Sequence, residues 1–316
     1  MKRSGFTLIE VLIAILLSAV VFSVTMQVTR HGLQVIERIS NRALAWERGQ
    51  NALSIIDPRA SHAAFGITYE RVGDVFRRSF GKNDMSWPPP AKWTDRGPLQ
   101  IWKESSMLNL AADDGGVFRG CGIAILYAVP TALRAKMDDD SAIFLSEGES
   151  ATIRLIPSED LSGITSRLPT TARNDLRSWV TFPLMGLPVH AEYLGGGQLS
   201  VYMTDGSGLS TTLYPYDEMH CLRGDYFYVQ NEVMFSKELR TAWTNVETRL
   251  EGVLEMWFEW TPSEKLLKAW ILTTGGRVSS YRTERPNDWP TEAPWRTNFE
   301  LHDVMVVKAS WLIKNM

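Results

Sequence analysis

The feature that most constrains this chain is a predominantly apolar run of 23 residues, Phe6 to Val28, placed directly behind a short basic leader. At 1.5 Å rise per residue such a run spans a bilayer as one helix. A conventional secretory signal carries its small-residue cleavage point after the apolar run. Here the small residue, Gly5, precedes it, so a cut at Gly5 leaves the hydrophobic helix on the mature protein. Lys2 and Arg3 lie on the amino-terminal side, which by the positive-inside rule puts that end in the cytoplasm and everything beyond Val28 outside. Arg30 flanks the other end and weakens the asymmetry slightly.

Within the run stands one carboxylate, Glu10. Unpaired and charged in lipid it would cost on the order of a few kcal/mol, so it calls for a partner. The string Gly5-Phe6-Thr7-Leu8-Ile9-Glu10 after a basic leader resembles the class III signal of the type IV prepilin and pseudopilin superfamily. That resemblance implies cleavage after Gly5 by a membrane prepilin peptidase, N-methylation of the new terminus at Phe6, and pairing of Glu10 with the terminal amine of a neighbouring subunit. A new amine and a carboxylate on adjacent helices can satisfy each other in lipid.

The resemblance further implies a division into a cleaved leader (1–5), a transmembrane half-helix (6–28), an amphipathic half-helix (29–57) and an extracytoplasmic β-rich domain (58–316), with room for two lobes. The chain would reside in the inner membrane with its amino terminus cytoplasmic, then enter a pilus or pseudopilus. Partners would be the peptidase and methyltransferase, other major and minor pilins or pseudopilins, the inner-membrane assembly platform and membrane lipid. The run Ala52 to Asp57, followed by Ala63-Ala64-Phe65-Gly66, and the terminal segment Val304 to Ile313 are similar to the W-type minor pilins and J-type minor pseudopilins. The length of 316 residues also points to a minor subunit.

Composition fits a folded protein with a core: 44% hydrophobic and 22% charged residues. Loss of Lys2 and Arg3 with the leader leaves 31 basic against 36 acidic side chains, and no direct nucleic-acid surface is expected. The two cysteines, Cys121 and Cys221, would lie in a compartment where disulfides persist. A bridge would close a loop of about 100 residues and contribute up to about 4 to 5 kcal/mol in the chain-entropy model. Two buried thiols acting as small hydrophobes fit equally well.

The helical pattern continues past the apolar run to Asp57-Pro58, where the helix ends or kinks. Ile36, Ile39, Ala43, Trp46, Leu53 and Ile56 recur at helical spacing and are the expected buried stripe. Gly32 and Gly49 each weaken the helix by about 1 kcal/mol, with a bend near Gly32 as the expected result. Trp87-Pro88-Pro89-Pro90 reads as a stiff loop or as a polyproline ligand for an aromatic groove.

From Leu99 onward short strands dominate: Leu99 to Lys103, Gly122 to Val129, Ala151 to Ile156, Trp179 to Leu184, Leu199 to Thr204 and Tyr226 to Phe235. Leu254, Met256, Phe258 and Trp260 alternate with Glu255 and Glu259, then turn at Thr261 to Glu264 into Leu266 to Leu272, an antiparallel hairpin. Val304 to Ile313 alternates as a half-buried terminal strand. The fold class is α+β, a long amino-terminal helix laid on a mainly antiparallel β-domain.

No catalytic motif emerges. The five histidines form no His-Glu-x-x-His, and His190-Ala191-Glu192 lacks the Pro-Cys-x-x-Cys that completes a zinc deaminase site. His220-Cys221 beside Asp217 and Glu218 offers ligand types, but adjacent residues rarely point together. Gly206-Ser207-Gly208 lacks nucleophile-elbow spacing. No metal centre and no enzyme activity is expected. Asp113-Asp114 and Asp138-Asp139-Asp140 remain either solvated turns or oxygen ligands for a structural calcium. Trp289 and Trp295, in the Pro-rich segment from Arg285, either lock that loop to the β-domain or contact a partner. The competing functional classes are a pilus-displayed adhesin or cargo-binding subunit and a membrane-tethered extracytoplasmic enzyme.

Overall fold

The computed structural model describes residues 7–65, 67, 98–104, 111–156, 179–185, 187–203, 210–238, 247–278 and 282–314. It opens with α1 (Leu8–Ser61), a single 54-residue helix about 81 Å long. Thr7 caps it with Glu10 at the third position, and Pro58 is carried inside the last turn instead of ending the helix. Gly32 causes no interruption. Of the expected stripe Ile56 is buried, but Ile36, Ile39 and Trp46 are 65%, 64% and 51% exposed, and the other buried positions are Ala45, Gly49, Ala52 and Ala60. Small residues at spacings of three and four let the helix backbone lie directly on the sheet, a packing that weighting by hydrophobicity does not reveal.

The strands in chain order are β1 (Leu99–Trp102), β2 (Asp113–Asp114), β3 (Val117–Gly120), β4 (Gly122–Lys136), β5 (Ile143–Leu145), β6 (Ser150–Ile156), β7 (Trp179–Thr181) and β8 (Pro188–Gly195). After these come β9 (Gln198–Tyr202), β10 (Thr211–Leu213), β11 (Glu218–Gln230), β12 (Val233–Glu238), β13 (Glu247–Glu251), β14 (Val253–Thr261), β15 (Leu266–Arg277) and β16 (His302–Leu312). The expected strand Tyr226 to Phe235 is two strands. β11 turns into β12 at Asn231 and Glu232, both with positive φ, the conformation a two-residue hairpin turn requires.

A five-stranded antiparallel sheet, β16-β15-β14-β3-β2, lies against α1. Strands β14 and β15 form the expected hairpin around the 3-10 turn Pro262–Glu264. A β-bulge between Val253 and Glu255 shifts the alternation, so Leu254 and Trp257 face away from the helix while Met256, Phe258 and Trp260 face it. The outward face is not solvated either. The segment after β15 folds back across it and buries Trp289, Ala293 and Phe299 there.

The larger sheet has two parts that share strands β4 and β11. Next to the helix the order is β1-β4-β11-β12-β13. Further along the same two strands, pairing passes from β4 through β6, β9, β8 and β7 back to β11, a closed cycle of six antiparallel strands. The corner between the two parts is built at Ala132, which has φ 61°, opposite the register shift between Glu218 and His220. Thr131 donates to the Met219 carbonyl at 2.5 Å and the Ala132 N–H donates to Glu218 at 3.1 Å, fixing the bend. Leu133, Leu155, Val189, Leu199 and Val201 belong to the buried cluster of the closed part. Strand direction locates it beyond the carboxy-terminal end of α1, where His220 stacks on Phe65 with centroids 5.3 Å apart.

Candidate functional site: the amino-terminal helix and its seat

At the amino end of α1 the Thr7 N–H and hydroxyl both donate to Glu10 Oε2 at 2.9 Å, and the Glu10 N–H donates back to Thr7 Oγ1 at 3.4 Å. Two of the helix's otherwise unpaired amino-terminal donors are thereby satisfied reciprocally, the Thr7 N–H by the Glu10 carboxylate and the Glu10 N–H by the Thr7 hydroxyl. Gly5 and Phe6 lie outside the described residues.

The surface above Glu10 is bare. Large apolar side chains such as Leu12, Ile15, Leu16, Val20 and Phe22 are all more than half exposed, and no residue of α1 before Ala45 is buried. The helix is long and apolar enough to cross a membrane. Exposure on this scale is stable only where lipid or other apolar helices replace water.

The seat of the helix begins at Asn41. A Cβ on Gly275 would overlap the Asn41 backbone carbonyl, and one on Gly49 would overlap the Val307 side chain. Thr273 donates from its hydroxyl to the Ala45 carbonyl at 2.7 Å, and Arg48 Nη1 donates to the Thr274 carbonyl at 2.6 Å. Higher up, Trp311 Nε1 donates to Asp57 at 2.7 Å. Asp225, buried under the last turn, accepts from Tyr127 at 2.6 Å and from Arg59 Nε at 3.2 Å. Burial pushes the Asp225 carboxyl upward despite both partners, and burial beside Asp225 pushes the Tyr127 phenol upward too. The polar anchor joins helix, β4 and β11 in one place.

Of the two alternatives for the cysteines, the disulfide does not form. Cys221 pairs across the sheet with Val129, eight residues along β4 from Cys121, so the two lie about 26 Å apart at 3.3 Å per residue, far beyond bridging range. They occupy different buried clusters, and the alternative of two buried thiols describes them. Burial raises the Cys121 thiol, with Glu255 as the next cause, which leaves it protonated and unreactive.

Among the described residues no group of three His, Cys, Asp or Glu side chains converges as a metal site. The aspartate run at 138–140 divides its contacts: Asp138 lies 3.6 Å from Arg154, Asp139 accepts from the Ser141 N–H, and Asp140 accepts from the Tyr216 hydroxyl. Asp114 faces Arg119 at 3.4 Å. Asp217 accepts the Leu184 N–H at 2.8 Å, His220 lies 3.9 Å from Glu218, and burial pushes the imidazole downward. His190 is buried edge-on to Trp179, while Glu192 on the same strand is exposed. Trp87 to Pro90 and Gly206 to Gly208 lie outside the described residues.

The Pro-rich segment around Trp289 is internally tied. Trp289 Nε1 donates to the Pro294 carbonyl at 3.0 Å, and Arg285 donates to the carbonyls of Pro290 and Ala293. Trp289 is buried, so it locks the loop to the β-domain and is not presented to a partner. Beneath the segment Arg296 Nη2 meets Glu255 Oε2 at 2.9 Å. Burial pushes Glu255 up to about 7, with Arg296 opposing it. Nothing in the alternation marked Glu255 as buried. The paired Gly275-Gly276 inside a strand pattern was the available signal for close backbone approach.

Residues 1–26 match the family model described as the prokaryotic N-terminal methylation motif. With the bare apolar helix, this motif gives the chain a prepilin-type amino terminus of the type IV pilin and pseudopilin class. No curated protein and no solved structure matches the chain.

Proposed function

We propose that the chain is a minor subunit of a type IV pilus-like filament, serving pilus biogenesis, type II secretion or DNA uptake, with a structural and not an enzymatic role. The observation that carries this reading is the division of α1. Its first 33 described residues, Leu8 to Ser40, bury nothing, while Asn41 onward is fixed to the β-domain by close backbone contact and polar anchors. A subunit so divided can insert its apolar half among other helices while its domain stays rigidly attached outside. Prepilin peptidase would cut after Gly5, methylation would fall on Phe6, and Glu10 would exchange its Thr7 cap for a neighbour's terminal amine. The domain faces the extracytoplasmic side and stands off the membrane on the residues between Val28 and Asn41.

The bulk of residues 58–316 and the closed six-stranded part beyond the helix end fit poorly into a tight repeating shaft, which supports initiation or the tip. Mass spectrometry of the amino-terminal peptide from native membranes should find a methylated Phe6 terminus. Glu10→Ala, and separately replacement of 6–28 by an unrelated transmembrane helix, should block incorporation into filaments. Normal assembly of both variants, or an uncut Met1 terminus, would sink the proposal.

A further inference from the structure

The end of the domain from which the helix departs contains an open polar pocket. Strand direction establishes its position: β15 descends along α1 from the level of Asp57 to Asn41, and Arg277 lies just below that crossing. Strand β16 starts there at His302, β14 starts there at Val253, and the β11–β12 turn reaches the same level through the Gly252 N–H donating to the Glu232 carbonyl. The pocket, about 560 Å³, is walled by that turn, Glu255, Arg277, Arg296 and Asn298. Asn41 is 13 residues past Val28, so this end stands about 20 Å above the apolar run and faces the layer occupied by neighbouring subunits.

We propose that this pocket receives a carboxylate carried on an extended segment of a neighbouring subunit, a proposal that rests on the filament reading for its occupant. Two guanidinium groups converge on it with donors to spare. Arg296 spends one N–H on Glu255, which at 1% exposure holds it from beneath. Among the described residues Arg277, with a side chain 75% exposed, is steered by Glu232 at 3.8 Å, an ion-pair distance too long for a hydrogen bond. Each fork therefore retains planar donors suited to a carboxylate. Asn231, Asn298 and Gln230 supply amide groups on the walls, suited to a peptide backbone.

Charge selects among anions. With Glu255 ionised, the two arginines and two glutamates balance, and with it protonated one positive charge remains. His302, 3.3 Å from Glu232, is driven toward neutrality by burial and adds none. Only the protonated state leaves a net positive charge, and one charge offsets a monoanion but not a phosphate dianion.

The test uses the full chain in detergent micelles with three probes: N-acetyl-diglycine as the free acid, its amide, and inorganic phosphate. Saturable binding of the acid, at least tenfold weaker for the amide, is expected. Arg277→Ala should weaken the acid at least tenfold, and Arg277→Lys should weaken it several-fold because the charge remains without the fork. Equal binding of acid and amide, an unchanged affinity in Arg277→Ala, or tighter binding of phosphate would overturn the assignment. A photo-crosslinking residue at position 298 should join an acidic or carboxy-terminal peptide of a neighbouring subunit in assembled filaments. Its failure to do so while Glu10-dependent assembly proceeds removes the occupant. Failure of the filament reading shows separately, as normal assembly of Glu10→Ala.

Discussion

Leu8 to Ser40 and Asn41 to Ser61 form one uninterrupted helix, yet the two halves treat their side chains in opposite ways. The first half exposes Leu, Ile, Val and Phe, while the second buries Ala and Gly and leaves Trp46 half in solvent. Burial here follows what lies opposite, not residue hydrophobicity. On the proposed reading, lipid and other helices supply the core of the first half. The second half meets a sheet that approaches so closely that its buried positions are small residues apart from Ile56, with much of the gain coming from backbone-level van der Waals contact and a few buried polar bonds.

Two glycines separate these regimes most sharply. Gly275→Val should be the most damaging change, because its side chain would have to occupy the Asn41 backbone position and the helix cannot yield there without lifting off β15. A loss of about 3 kcal/mol or more is expected in urea unfolding of the detergent-solubilised chain. Gly32→Ala in the bare half meets nothing and should instead raise helix stability by up to about 1 kcal/mol. A comparable loss at both positions would show that the halves do not differ as described.

Arg59→Ala tests the polar anchor and should cost about 2 to 3 kcal/mol, since Asp225 would keep only Tyr127 as a partner while still buried. The same unfolding measurement reads it, and a cost near zero would mean that water replaces the guanidinium freely. The effect should be visible in the domain melt and absent from assembly of the bare half.

A smaller and pH-dependent effect is expected at Glu255. Its carboxyl is raised from 4.5 to about 7 in the folded state, so the folded protein holds the proton more tightly than the unfolded one. Its contribution is therefore fully present below about pH 4.5, declines as pH rises to about 7, and is flat above that. Glu255→Gln should remove that decline, at most about 3 kcal/mol, when stability is compared at pH 5 and pH 8. The slope is the readout, because loss of the Arg296 pairing shifts both values together. An unchanged slope in the variant would place the titration elsewhere.

The amino-terminal element was legible because its information is local: a basic leader, Gly5, one Glu at position 10 and an apolar run predict a long apolar helix wherever it is placed, although they do not announce the Thr7 cap. The β14–β15 hairpin and the terminal strand β16 were legible for the same reason, since alternation of period two survives in the sequence. The hairpin at Asn231 was missed because neither Asn231 nor Glu232 is glycine, although both take the positive φ that usually announces one. The buried stripe of α1, the separation of Cys121 from Cys221, the burial of Glu255 and the closure of six strands through β4 and β11 were decided only by tertiary structure. Each depends on a surface brought from far along the chain, and a sequence window records a residue's own chemistry and spacing, not the surface it will meet.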